Sequence, residues 1–306
     1  MKQAWFTDTD GVEIFYRTWT PDFAPRGAFV IAHGASEHSG RYARFAESLN
    51  RDGWMVLALD HRGHGHSSKS TGTGKLGPRG LDGVLDDMDQ LIEVARSSVG
   101  DKPVVLFGHS MGSIFAQAYV VRGSAALAGY VLSGCPGPPA EGLVELTAGL
   151  DAAVAAGMGD EPLDMLGTFN QRFEPARTPF DWLSCDESEV DAYIADPMCG
   201  DDNPLTTAYV AAMLGAARDS MTGDAISGIR PDLPVLLVTG EMDPVSGNGV
   251  QVHALEQELE ASGRSVTAHY YPDARHEVLN ETNRSQVTAD IGAWLERFLR
   301  LELSDD

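Results

Sequence analysis

The sequence predicts an α/β protein, a mostly parallel central sheet with helices on both faces and an inserted helical cap. Three observations predict it. Short apolar runs alternate with stretches whose apolar residues recur every three or four positions, the pattern of strands joined by helices. At Val104-Val105-Leu106-Phe107-Gly108-His109-Ser110-Met111-Gly112 a buried strand passes into a helix through one tight turn centred on Ser110. The alternation then stops at Cys135 and resumes only after Arg230, so 135–230 reads as an insertion and residues 1–134 with 231–306 as the core.

Taken in order, Trp5 to Thr7 and Val12 to Trp19 flank the turn signal Asp8-Thr9-Asp10-Gly11 and predict an antiparallel hairpin. Ala28 to Ala32 is a short apolar run ending at His33-Gly34, the pattern of a central strand. Tyr42, Phe45, Ala46 and Leu49 mark one helical face, stopped near Asp52-Gly53. Met55 to Leu59 predicts a buried strand, Asp60 to Ser70 a loop over the surface, and Asp82 to Val99 a helix. After Ser110, the residues Ile114, Phe115, Ala118 and Val121 give a helical packing face, and Tyr130 to Ser133 the next strand. Within the insertion no strand is expected. Leu143, Leu146, Leu150 and Val154 keep helical spacing, with Pro138-Pro139 opening that helix and Gly157 able to close it; Tyr209, Met213 and Ala216 mark another. Val235 to Thr239, a helix from about Val250 to Leu259, Thr267 to Tyr271 and a helix over Val287 to Leu299 complete the chain. Open α/β sheets bind ligands beyond their strand ends, so the insertion is expected to cap the edge that carries Ser110.

Across 306 residues there are 22 Lys and Arg against 45 Asp and Glu, a formal net charge of −23. That balance disfavours nucleic acid and anionic membrane surfaces as partners. Met1 to Gly11 holds neither a basic n-region nor an apolar h-region, and no apolar run is long enough to span a bilayer. A cytoplasmic chain with no integral membrane segment is expected; whether two copies form a homodimer is left open. Cys135, Cys185 and Cys199 are odd in number and widely spaced, which indicates neither a disulfide framework nor a zinc motif. Buried free thiols are expected, with pairing of Cys185 and Cys199 as the alternative.

The turn at Ser110 matches the nucleophile elbow G-x-S-x-G, which holds a hydroxyl above the sheet and points the next amide, here Met111, where an oxyanion would form. A serine needs a base, and the base needs a carboxylate to orient it. Asp243 follows the strand Val235 to Thr239, and His276 follows the next one. The order Ser, Asp, His after successive core strands points to a triad. His33-Gly34-Ala35 ends a strand facing the elbow, so the Ala35 amide is a second candidate oxyanion donor. His61, His64 and His66 lack the companions of a metal site, and His109, His253 and His269 read as structural.

The runs His33-Gly34-Ala35-Ser36-Glu37-His38-Ser39-Gly40-Arg41-Tyr42, Asp60-His61-Arg62-Gly63-His64-Gly65-His66-Ser67 and Gly108-His109-Ser110-Met111-Gly112 resemble the monoacylglycerol lipase and lysophospholipase group of α/β-hydrolases. The likeness returns around Gly240 to Asp243 and at His276. It implies the α/β-hydrolase fold, an oxyanion hole from Ala35 and Met111, and positions toward the alcohol end of the site for Glu37 and Arg41. In the insertion it is looser, carried by Thr178-Pro179-Phe180-Asp181-Trp182-Leu183 and Asp196-Pro197-Met198-Cys199-Gly200, and the glycine that follows the elbow in the family is Ser113 here.

The function expected is a serine carboxylic-ester hydrolase acting on monoacylglycerols or similar neutral acyl esters through an acyl-enzyme, with a small-molecule ester as partner and no cofactor or metal. A lysophospholipase, a proline iminopeptidase-like hydrolase and a catalytically weak hydrolase-like ligand receptor are the alternatives. Leu143, Leu146 and Leu150 are expected to line an acyl tunnel above Ser110, or else only to pack the helix that carries them.

Overall fold

A hairpin opens the chain, β1 (Lys2–Thr7) and β2 (Glu13–Trp19) pairing antiparallel across a turn closed by the Asp8 amide on the Val12 carbonyl. The computed structural model describes residues 1–300. In it β3 (Gly27–Ala32), α1 (Ala43–Arg51), β4 (Trp54–Leu59), α2 (Ser68–Thr71), α3 (Gly80–Val99), β5 (Val104–His109), α4 (Met111–Arg122) and β6 (Gly129–Ser133) follow. After the insertion come β9 (Val235–Gly240), α9 (Val250–Ala261), β10 (Val266–Tyr271), α10 (Arg284–Leu295) and the short α11 (Arg297–Arg300). The sheet order is β1-β2-β4-β3-β5-β6-β9-β10, antiparallel through β4 and parallel beyond it.

Every residue of β3, β4, β5, β6 and β9 is buried, as strands covered on both faces must be. Side chains alternate between the faces. Val30, Leu57, Leu106, Leu132 and Leu237 meet α3 and α4 on one side, while Phe29, Val56, Phe107 and Val131 meet α1 and α10 on the other. The edge strand β10 is only partly buried, and the sequence marks it with Thr267 and His269.

The segment between β6 and β9 contains α5 (Leu143–Ala153), β7 (Pro162–Leu163), α6 (Glu187–Ala195), β8 (Leu205–Thr206), α7 (Thr207–Ser220) and α8 (Gly223–Ser227). The two short strands, which pair antiparallel, correct the expectation of none; two residues are too few for a periodicity to register. Pro138-Pro139 lies before α5 rather than at its first turn, because the left-handed Gly142 sets the start. Gly157, at φ +87, ends the helical run as expected. Helix α4 has no solvent face over Met111–Val120. It is covered by the sheet on one side and by Tyr209, Met213 and Ala217 of α7 in the same core on the other.

The loop after β4 is not a surface loop. Asp60, His61, Arg62, His64 and Ser67 are all buried. The cause is Arg62, whose guanidinium is fully covered and reaches Asp8 at 2.5 Å, Asp10 at 2.6 Å and Asp87 at 2.6 Å. All three cysteines are free thiols; Cys135 and Cys199 are buried and Cys185 half-buried. No helix among the described residues is long and apolar enough to cross a membrane.

Candidate active site

Ser110 sits between β5 and α4 at φ +52, ψ −119, a left-handed backbone that only a tightly fixed turn sustains in a residue with a side chain. Two close approaches fix it. A Cβ on Gly108 would lie 2.2 Å from the Gly112 carbonyl, and one on Gly112 would lie 2.2 Å from the Ala32 carbonyl, so the glycines on either side are sterically required. The Ser110 amide donates to the Ser133 carbonyl at 2.8 Å, tying the turn to the next strand.

His276 and Asp243 stand in the loops after β10 and β9, on the same sheet edge. Their Nδ1 and Oδ1 are 2.9 Å apart, and Oδ1 also accepts the Val245 amide at 2.9 Å. The His276 ring lies 4.8 Å from the ring of His109, the elbow residue, and 4.9 Å from the indole of Trp182. Burial alone would lower the imidazole. The Asp243 carboxylate, charged and hydrogen-bonded to it, more than offsets burial, and with Glu277 and Glu37 holds His276 above its ordinary value. His109 and His64 go the opposite way, for burial pushes His109 down to about 4 and His64 to about 3 and keeps them neutral.

The loop after β3 faces the elbow; a Cβ on Gly34 would be 3.3 Å from that of Ser110. Both peptides flanking Gly34 are pinned. Its amide donates to Glu37 Oε1 at 2.5 Å, and its carbonyl lies 2.7 Å from His33 Nδ1, whose other nitrogen accepts the His61 amide at 2.9 Å. A trans peptide holds its N–H opposite its C=O, so fixing the Gly34 carbonyl also aims the Ala35 amide. The next residue, Ser36, is left-handed at φ +52, and its carbonyl accepts from the Tyr193 hydroxyl and the Gly200 amide, both at 3.0 Å.

Ala35, Ser110 and Met111 open on a cavity of about 650 Å³, within the roughly 300–1,000 Å³ typical of small-molecule sites. Its wall is largely apolar. Of the three leucines expected there, Leu143 lines it. Leu146 does not, being 52% exposed on the outer side of α5, and Leu150 packs against the core instead. The stripe divides because α5 packs on α7, so that Leu143 reaches the cavity, Leu150 the core and Leu146 solvent. Glu37 and Arg41 are also absent from that wall; both are tied into ion pairs beside it. Sequence periodicity missed Met165, Phe169, Leu214 and Val245, which do line it, and marked Met213 only as a helix-packing residue. They come from separate segments that meet only in the fold. Trp182, also on the wall, stood within the stretch Thr178 to Leu183 already singled out.

The insertion is fastened to the histidine loop. The amides of His276 and Glu277 donate to the carbonyls of Trp182 and Leu183 at 3.4 and 2.8 Å, Arg275 reaches the carbonyls of Asp181 and Ser184, and Glu281 accepts the amides of Cys185 and Arg275. Among the described residues one trio of metal-binding types, His38, Asp196 and Cys199, brings its ligand atoms within 4.8 Å of one another. His38 is already engaged at both nitrogens, Nε2 with Asp196 at 2.9 Å and Nδ1 with the Gly40 amide at 3.1 Å. The trio therefore reads as another fastening of the insertion to the core.

The chain matches the model of the Hydrolase_4 family, described as serine aminopeptidase S33, over residues 24–283. It is 33% identical over 293 residues to the monoacylglycerol lipase of Mycolicibacterium smegmatis, covering 95% of each chain. Among solved structures it is similar to a highly thermostable carboxyl esterase from Bacillus coagulans in complex with glycerol, with a TM-score of 0.91 and 27% identity over 97% of this chain and 98% of that one. A soluble variant of the monoglyceride lipase of Saccharomyces cerevisiae shares the fold, at a TM-score of 0.76 and 18% identity over 97% of this chain and 94% of that one. The fold is the α/β-hydrolase fold, as the resemblance implied.

Proposed function

This chain belongs to the Hydrolase_4 family, and from that membership we infer a serine carboxylic-ester hydrolase that acts on monoacylglycerols through an acyl-enzyme on Ser110. One observation carries the choice of residues: the elbow serine opens on a large apolar cavity while a buried Asp243–His276 pair stands beside it. Ser110 Oγ attacks the ester carbonyl as His276 takes its proton. The amides of Ala35 and Met111 receive the oxyanion, and His276 returns the proton to the departing alcohol. Water then attacks the acyl-enzyme with His276 again as base, releasing the fatty acid. Asp243 keeps the imidazole in one tautomer and stabilises its charged form.

Residues 135–230 act as the cap that selects the acyl chain, since they supply most of the cavity wall. Apolar burial there is worth about 0.8 kcal/mol per methylene, so affinity rises with chain length until the cavity is full. The net charge of −23 favours neutral glyceryl esters over anionic lysolipids at low salt. A cytoplasmic location belongs to the same reading. Asp164 and Asp201, both on the cavity wall, are the groups that an N-terminal ammonium would require, so a prolyl amide is the control substrate. Fatty acid release is measured from monoacylglycerols of graded length, from lysophospholipids and from prolyl amides, together with fluorophosphonate labelling mapped by mass spectrometry. Cleavage of neutral monoacylglycerols with the label on Ser110 supports the reading. Prolyl amide cleavage without ester turnover, or a label elsewhere, overturns it.

A further inference from the structure

Arg41 joins three segments that surround Ser110. Its guanidinium donates to Glu37 Oε2 at 2.7 Å in the loop after β3, and to both oxygens of Glu277, at 2.6 and 2.7 Å, in the histidine loop. The same group lies 4.7 Å over the ring of Tyr193 in the insertion. Each partner carries the connection one bond further. Glu37 accepts the Gly34 amide and, at 2.8 Å, the Tyr42 hydroxyl; Tyr193 holds the Ser36 carbonyl; Glu277 directly follows His276 and accepts from Asn280 at 2.9 Å.

We propose that Glu37, Arg41 and Glu277 form a positioning clamp that fixes the Ala35 amide and the His276 imidazole at one spacing, and that none of the three touches the substrate. This rests on the roles given above to Ser110, Ala35 and His276. The side chains are too covered and too fully engaged to bind an alcohol. Glu37 is 3% exposed, each guanidinium bond named above goes to a carboxylate, the wall of the large cavity includes none of the three, and the separate pocket they line with His109 and Asn280, about 20 Å³, has room for little more than a water. Their arrangement meets what a clamp needs. A bidentate Arg–carboxylate pair is rigid in two dimensions, and here it bridges two loops that contribute different parts of one reaction. The glycine it pins has no side chain to hold its own backbone, so the aim of the Ala35 amide rests on His33 at the Gly34 carbonyl and Glu37 at the Gly34 amide, and Arg41 fixes the second of these from the histidine loop. The clamp also carries two carboxylates to one guanidinium, and Glu277, the neighbour of His276 in the chain, adds with Glu37 to Asp243 in raising the imidazole against burial.

Three variants separate this role from its rivals. Arg41→Ala would strand two buried carboxylates and endanger folding, so Arg41→Lys, which keeps the charge and loses the fork, is the informative change. In Arg41→Lys, kcat is expected to fall about 10- to 100-fold, the effect of a displacement of roughly an ångström, with KM within about threefold. The loss should be the same for a monoacylglycerol and for the p-nitrophenyl ester of the same acid. Glu277→Gln keeps the shape and removes a negative charge beside His276, so the acid limb of its kcat/KM profile should move to lower pH. Glu37→Gln should lower kcat in the same way as Arg41→Lys. Wild-type kcat in Arg41→Lys, or an unmoved acid limb in Glu277→Gln, overturns the proposal. A loss confined to glyceryl esters with a raised KM overturns it too, by putting Arg41 on the alcohol. Fluorophosphonate labelling of wild-type Ser110 is scored separately, so a wrong nucleophile is told apart from a clamp without consequence.

Discussion

Asp243 Oδ1 and His276 Nδ1 meet at 2.9 Å where neither side chain is more than 2% exposed, so the attraction between them acts with little screening by water. The imidazole is consequently held above the ordinary histidine value of about 6.5. A base works only when neutral, and a raised value keeps His276 protonated to a higher pH. The acid limb of kcat/KM should therefore have its midpoint above pH 6.5, and in Asp243→Asn the residual rate, lower by about 10⁴-fold, should lose that displacement. A pH–rate series from 5 to 9 on a soluble p-nitrophenyl ester decides it; a midpoint below 6.5 in the wild type would show that burial prevails over Asp243.

Ser110→Ala should abolish turnover, a loss on the order of 10⁶-fold, without unfolding the chain. The turn is maintained by its glycines and by the Ser110 amide on Ser133, none of which depends on the hydroxyl. Single-turnover assays and a thermal melt test the two halves of this statement; a rate above a few per cent of wild type would place the nucleophile elsewhere.

Leu143 and Leu146 lie on one helix but only the first faces the cavity. Leu143→Trp should shorten the preferred acyl chain by filling space, while Leu146→Trp should leave the chain-length profile unchanged. Leu150→Trp, at a position packed against the core, should cost stability, about 1–3 kcal/mol, without moving the optimum. Profiles of kcat/KM from two to sixteen carbons, with urea titrations alongside, distinguish the three.

Arg62 holds three carboxylates with no exposure of its own, so Arg62→Met should destabilise the fold by about 3–5 kcal/mol, the cost of leaving buried charges unpaired. Asp87→Asn should cost less, on the order of 1 kcal/mol. Burial, with Asp8 and Asp10 close by, pushes Asp87 up to about 7 despite the guanidinium, so at neutral pH the cluster depends little on its charge. Urea unfolding at pH 7 gives both numbers; equal losses would mean the guanidinium is not the centre of the cluster.

Much of this architecture is legible in the residues because strands covered on both faces carry continuous apolar runs, as Val104 to Phe107 and Val235 to Val238 do. Asp243 is legible for the same reason, since it follows such a strand, whereas His276 follows the partly buried edge strand β10 and is legible by its place one strand after Asp243. The burial of the Asp60 to Ser70 loop is not, because its glycines and polar residues read as a surface turn until Arg62 finds Asp8, Asp10 and Asp87 from three other segments. Arg41 is similar. Its spacing from Glu37 is visible locally, but its second partner, Glu277, lies far along the chain and meets it only in the fold. On α5 the apolar spacing is real, yet which of its leucines turns inward is decided by α7 beneath it.

The backbone bonds from Trp182 and Leu183 to His276 and Glu277 set a boundary for anyone exchanging parts between relatives. Transplanting a foreign segment in place of all of 135–230 would remove the carbonyls on which the histidine loop rests, and a chimera made that way would lose turnover before its new selectivity could be seen. The stretch from Ala140 to Gly167, which supplies Leu143 and Met165 to the wall and carries none of those bonds, is where a replacement can alter the cavity and leave the His276 loop undisturbed.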